Sequence, residues 1–144
     1  MSKNRILIVE DEALTVLALK RDLAELGYEV AGDASTAAGA LRAAEDNRAD
    51  LVLMDIQLEG EVSGVAAAAA IRGQLDIPVV FLTAHAAAET LARAVESGAF
   101  GYLLKPYTAA ELKAAIDIAM HKHQTESAMR RALHSRMSAS VAQS

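Results

Sequence analysis

Leu51-Val52-Leu53-Met54-Asp55 is a run of four apolar residues that ends on a carboxylate, and its reading decides the fold. It is short for a helix, and a half-exposed antiparallel strand would alternate apolar with polar residues. A continuous apolar run fits a strand buried on both faces, as in a parallel sheet. Working outward, Arg5-Ile6-Leu7-Ile8-Val9 and Pro78-Val79-Val80-Phe81-Leu82 have the same character. Tyr28 to Ala34, interrupted by Gly32, and Gly101-Tyr102-Leu103-Leu104 add two weaker strands. Helical stretches lie between and after them. Leu14, Leu17, Leu23 and Leu26 recur at helical spacing until Gly27, and Ser35 or Thr36 can cap a second helix towards Asn47. Val65 to Gln74 is alanine-rich with Ser63 as its expected N-cap, and Ala86 to Ser97 forms a fourth helix closed by Gly98. Thr108-Ala109-Ala110-Glu111 has the capping-box pattern for a fifth helix, with Leu112, Ile116 and Met120 on its inner face. Five strands each followed by a helix predict an α/β chain, a doubly wound five-stranded parallel sheet.

The length of 144 residues suits one domain, on a scale of roughly 100 to 200 residues per domain. Hydrophobic residues make up 53% of the chain, but 32 are alanines, so much of that fraction is small side chains on helices. The longest stretch without a charge, Ile77 to Ala88, falls short of the roughly 20 apolar residues of a membrane span. The first apolar run ends in Glu10-Asp11-Glu12, which is no secretory signal, so the expected location is the cytoplasm. Without cysteine there is no disulfide, thiolate metal site or cysteine nucleophile. Residues 1–120 hold 10 Lys and Arg against 18 Asp and Glu, which makes nucleic acid a poor partner. Residues 121–144 reverse the balance with four cations against one acid.

In an open parallel sheet, ligands bind beyond the carboxyl ends of the strands, where the strand order switches. Glu10 and Asp11 follow the first strand, Asp55 the third, Thr83 the fourth and Lys105 the fifth, so all five are expected on one rim. Asp33, at the end of the second strand, falls on a flanking strand if the order is 2-1-3-4-5. Clustered carboxylates raise one another's pKa unless a cation compensates them, and Mg2+, which takes oxygen ligands, is the natural one. Zinc is unsuited, since His121 and His123 lie far along the chain from the acids. Lys105 offers a point charge and Thr83 a hydroxyl donor for an anionic oxygen. Such a set suits a phosphoryl group, with Asp55 as the nucleophile that forms an acyl phosphate. Taken singly, a strand-end Asp is as readily a cap or turn residue, and Tyr102 a half-buried core aromatic. The coincidence of all five is what carries the reading.

The stretches Ile6-Leu7-Ile8-Val9-Glu10-Asp11-Glu12, Leu53-Met54-Asp55-Ile56, Val80-Phe81-Leu82-Thr83-Ala84 and Tyr102-Leu103-Leu104-Lys105-Pro106 together resemble the receiver domain of two-component response regulators. The resemblance covers residues 5 to about 122 and implies a flavodoxin-like (βα)5 fold of order 2-1-3-4-5. It implies that Asp55 accepts a phosphoryl group from a histidine kinase or a histidine phosphotransfer protein. It also implies that Glu10, Asp11, Asp55 and the backbone carbonyl of Gln57 serve Mg2+, and that Thr83 and Lys105 contact the phosphoryl oxygens. Tyr102 would be the aromatic that turns inward when Thr83 moves, and the Lys105-Pro106 bond would be cis. The loop after Asp55 lacks the Met-Pro of many receivers and places Gly64 one residue late, as in a subgroup with a DI-x-L-x-G-x-x-x-G loop. Gln57 and His85, two residues beyond Asp55 and Thr83, are expected to set the dephosphorylation rate.

The expected organisation is a receiver over residues 1–123 and a C-terminal helical extension or flexible tail over 124–144. Met129, Leu133 and Met137 recur at intervals of four there, but their spacing drifts from that of a coiled coil. Candidate surfaces for a homodimer are this extension and the face of the fourth helix, fifth strand and fifth helix. A haloacid-dehalogenase-like phosphohydrolase would need an Asp-x-Asp pair, which Asp55-Ile56-Gln57 lacks. A binding module independent of phosphorylation would leave the intact acid, hydroxyl and lysine set without a purpose.

Overall fold

The computed structural model describes residues 3–56, 64–84, 92 and 98–143, with the backbone alone at 138–143. The five strands are β1 (Arg5–Val9), β2 (Glu29–Ala34), β3 (Leu51–Asp55), β4 (Val79–Thr83) and β5 (Gly101–Leu104). They form one all-parallel sheet in the order β2-β1-β3-β4-β5, as the alternation predicts. The described helices are α1 (Ala13–Glu25), α2 (Ala37–Asp46), α3 (Gly64–Leu75) and α4 (Ala109–Gln143). The helix expected over Ala86–Ser97 and the Ser63 cap lie outside the described residues, so α4 is the fifth helix of the sequence pattern.

The sheet separates two cores. Leu7, Val9, Val52, Met54 and Phe81 face α2 and α3, whereas Ile6, Ile8, Leu53, Val80 and Leu82 face α1 and α4. Alternate residues of each strand point to opposite faces. A continuous apolar run therefore supplies both cores at once. The small side chains of α2 and α3, Ala40, Ala44, Ala67 and Ala68, are fully or nearly fully buried and let these helices sit close on the sheet. Leu112 and Ile116 are buried and Met120 is partly buried, as expected of the inner face of α4. On α1 the core face is Leu19 and Leu23, while Leu14 and Leu17 stand out in solvent. The leucine spacing of α1 thus mixes an inner and an outer face.

Capping follows the sequence. Thr36 accepts a bond from the Gly39 amide at the start of α2. The Glu111 amide donates to Thr108 Oγ1 and the Thr108 amide to Glu111 Oε1, each at 3.1 Å, which completes the capping box of α4. The weakness of β2 has a cause in Gly32, whose φ of 152° coincides with a register shift between Ile6 and Leu7.

Beyond the last turn that packs on the sheet, α4 is tied to the sheet's opposite edge. Asp76, just past α3 and in the left-handed region with φ 54°, receives Arg72 Nη1 and Arg130 Nη2 at 2.9 Å each. His123 Nε2 stands 3.4 Å from the same carboxylate, and Arg72 Nη2 lies 3.5 Å from Glu126. The Arg72 guanidinium also covers the Phe100 ring at 4.3 Å, and Phe100 meets His123 edge to face. Burial pulls the Asp76 carboxyl upward. The hydrogen bonds and charges of Arg130, His123 and Arg72 outweigh it and hold Asp76 below the usual carboxylate range.

Candidate functional site

Register delivers the polar residues to one edge. Val9 stands beside Met54, Asp55 beside Leu82 and Thr83 beside Leu104, so the residues that end or follow these strands emerge together. Backbone bonds extend the alignment past the strands: the Glu10 amide donates to Ala34 O, Ile56 to Leu82 O, and Lys105 to Thr83 O at 2.8 Å. The turn that carries Lys105 away from the sheet has a cis Lys105–Pro106 bond.

One oxygen each of Glu10, Asp11 and Asp55 can be chosen so that all three lie within 4.8 Å of one another. Glu10 is buried at 3% exposure, Asp55 is half-buried and Asp11 is exposed, so the cluster opens outward from a buried base. Lys105 Nζ lies 3.5 Å from both Glu10 Oε2 and Asp55 Oδ2, while the Glu12 amide donates to Glu10 Oε1 at 3.2 Å. One ammonium does not balance three carboxylates. Burial, a hydrogen bond shared with Asp55 and the charge of Asp55 push the Glu10 carboxyl up to about 7, against the opposing pull of Lys105. An all-oxygen, over-negative cluster with one exposed side has the donor chemistry that Mg2+ selects, and the residues present fit that ion. Thr83 is buried at 1% exposure.

Every sequence-predicted site residue that is described lies at this edge or on the strand leading to it. Tyr102 sits on β5 beside Phe81 and is 46% exposed. Gln57 and His85 lie outside the described residues. One contributor was missed. A Cβ built on Gly64 would lie 3.1 Å from the Asp55 carbonyl oxygen and 3.3 Å from that of Ile56, so α3 begins directly against the backbone that aims Asp55. Its sequence signal was a glycine at the first position of a helix, where it weakens the helix and needs another reason.

The response regulator receiver domain family matches residues 6–117, nearly the whole sheet and the first nine residues of α4. The transcriptional regulatory protein PdtaR of Mycobacterium tuberculosis is 37% identical over 125 residues, covering 87% of this chain and 60% of that protein. The chain thus spans about 60% of the length of that relative. Among solved structures, the signal receiver domain of a modulated diguanylate cyclase from Desulfovibrio desulfuricans superposes with a TM-score of 0.81 at 38% identity, covering 87% of this chain and 99% of that one. A CheY-like receiver domain protein from Methanospirillum hungatei gives 0.76 at 28% identity, covering 87% and 99%. With the acid cluster, the lysine and the parallel sheet of order 2-1-3-4-5 in place, the chain belongs to the response regulator receiver domain family.

Proposed function

We propose that Asp55 accepts a phosphoryl group from a phosphohistidine of a sensor histidine kinase or histidine phosphotransfer protein, and that the chain signals through a protein contact that depends on this group. The reading rests on one observation: a half-buried Asp55 carboxylate with Lys105 at 3.5 Å, at the edge where Glu10, Asp11 and Thr83 converge. A carboxylate oxygen of Asp55 attacks phosphorus, the P–N bond of the phosphohistidine breaks, and the imidazole leaves with its electron pair. Lys105 and the Thr83 hydroxyl would receive the phosphoryl oxygens, so that Lys105 exchanges its present carboxylate partners for the new anion. Glu10, Asp11, Asp55 and the carbonyl of Gln57 would hold Mg2+, which when bound neutralises charge on those oxygens.

The switch is assigned to Thr83 and Tyr102, the exposed ring moving as the hydroxyl turns to the phosphoryl group. The only chemistry assigned to the chain is its own phosphorylation and dephosphorylation, in the cytoplasm, with Gln57 and His85 setting the second rate. Residues 1–123 form the receiver and 124–144 a helical extension; self-association would use that extension or the β5 face.

Intact mass after incubation with a small phosphodonor and Mg2+ tests the reading. One adduct of about 80 Da that requires Mg2+ and disappears in Asp55→Asn is expected. Folded wild-type protein that takes no adduct would leave a binding module independent of phosphorylation. Repeated turnover of a small phosphate ester would make the chain a phosphohydrolase.

A further inference from the structure

Arg72, near the end of α3, meets three other parts of the chain through one guanidinium. Its Nε donates to the Gly98 carbonyl oxygen at 3.1 Å, Nη1 donates to Asp76 at 2.9 Å, and Nη2 reaches Glu126 of α4 at 3.5 Å. Gly98, Ala99 and Phe100 lead into β5, and the Phe100 ring lies under the guanidinium at 4.3 Å. Arg72 therefore ties the entry of β5 to the middle of α4. Past that tie the helix has little to hold it. Beyond Met120 every described side chain of α4 is exposed except His123 and Ser127, which are partly buried. Among the described residues, the hydrogen bonds and ion pairs that join this part of α4 to the body are Glu126 with Arg72, and His123 and Arg130 with Asp76. Arg72 takes part on both sides, since it also bonds Asp76.

We propose that Arg72 couples the phosphoacceptor edge to the helical extension: phosphorylation draws the Gly98 carbonyl away from Arg72 Nε, the guanidinium releases Glu126, and residues 127–137 fray. This rests on the reading of Asp55 as the phosphoacceptor and adds what the event regulates. The route is the connection between β4 and β5. It starts at Thr83, whose hydroxyl turns to the phosphoryl group in that reading, and ends at the carbonyl and ring that Arg72 holds. A guanidinium is rigid and planar, so Nε cannot follow Gly98 without carrying Nη2 with it. The Glu126 contact stands at the outer limit of a hydrogen bond, and a displacement of about half an ångström ends it. A helical segment without tertiary support is marginal in water, so the turns beyond Glu126 depend on these few contacts. The two states differ in one named contact, which is what a population shift requires.

Hydrogen exchange read by mass spectrometry on the full chain, with and without a small phosphodonor and Mg2+, tests this. One sample then reports both the adduct of about 80 Da and the extension. In wild type, exchange of the amides of residues 127–137 is expected to rise about fivefold when the adduct forms, at the low end of ordinary coupling factors. In Arg72→Lys and in Glu126→Gln the adduct should still form. Exchange at 127–137 should already be fast without it and change less than about twofold with it. Lysine keeps the charge beside Asp76 but lacks the fork that spans Gly98 and Glu126. Glu126 is an exposed side chain, and circular dichroism checks that both variants fold. An adduct on wild type with unchanged or slower exchange at 127–137 would overturn the coupling and leave the phosphorylation reading standing. A full response in both variants would overturn the assignment to Arg72. Folded wild type that takes no adduct would overturn the phosphorylation reading, and the coupling with it.

Discussion

Gly64 lies against the carbonyl oxygen of Asp55, close enough that an added methyl would sit 3.1 Å from it. The first residue of α3 thus packs against the backbone on which Asp55 is carried. Gly64→Ala forces the Asp55–Ile56 peptides to move by a few tenths of an ångström. The expected result is a loss of stability of about 1 to 2 kcal/mol, as for other overpacked sites, with slower phosphorylation of Asp55. Denaturant unfolding and the time course of the mass adduct measure the two effects, and unchanged rates would show that α3 does not aim the acid.

Lys105 is the one cation within 4 Å of both Glu10 and Asp55 among the described residues. Lys105→Met leaves the carboxylates more strongly repelling. Phosphorylation should fall by about a hundredfold, the scale for removal of one charged donor to a developing anion. Calorimetric Mg2+ affinity should hold or rise, because a bound dication relieves more repulsion once the ammonium is gone. A large loss of Mg2+ affinity would mean that Lys105 instead orients the acids.

Asp76 gives a pH dependence with a defined sign. Its carboxyl is held below the ordinary range in the folded chain, so its ties to Arg72 and Arg130 are fully present above the unfolded carboxylate value and are lost as pH falls through the lower folded value. Helicity of residues 127–137 should decline in that acid window, and Asp76→Asn should show the decline at neutral pH. Cα chemical shifts read both. Each exposed pair contributes at most about 1 kcal/mol, so the effect belongs to the extension and not to global stability.

Ile116 is fully buried on the inner face of α4 with no atom at the acid cluster. Ile116→Ala should cost about 2 to 4 kcal/mol while the folded variant still takes the Mg2+-dependent adduct. A variant that unfolds at the expected denaturant concentration but no longer phosphorylates would connect this face of α4 to the site.

The fold was legible because each central strand is apolar throughout. Leu51 to Met54 has one arrangement that buries every side chain, and the same holds for Ile6 to Val9. The acid cluster was legible because topology alone places strand ends, so Glu10, Asp11, Asp55, Thr83 and Lys105 needed only the strand order to meet. Distances between side chains were not. Whether Lys105 would reach both Glu10 and Asp55 depends on the backbone around Pro106, and the contact of Gly64 depends on where α3 begins. Leu14 and Leu17 misled because leucine at helical spacing marks a face without saying which way it points. The Asp76 cluster joins the i,i+4 pair Arg72 and Asp76 to residues 100, 123, 126 and 130, and that long-range meeting follows from no local pattern.

From Ala109 to Gln143, α4 contains neither glycine nor proline, and therefore behaves as one stiff rod. Its root adjoins the turn that holds Lys105, and Arg72 and Asp76 grip it near Glu126, midway along. Each arm measures about 26 Å at 1.5 Å per residue. With Leu112, Ile116 and Ala119 seated in the core, the first arm is clamped and the helix is in effect a cantilever, whose exposed far arm must follow any movement of its core-packed root.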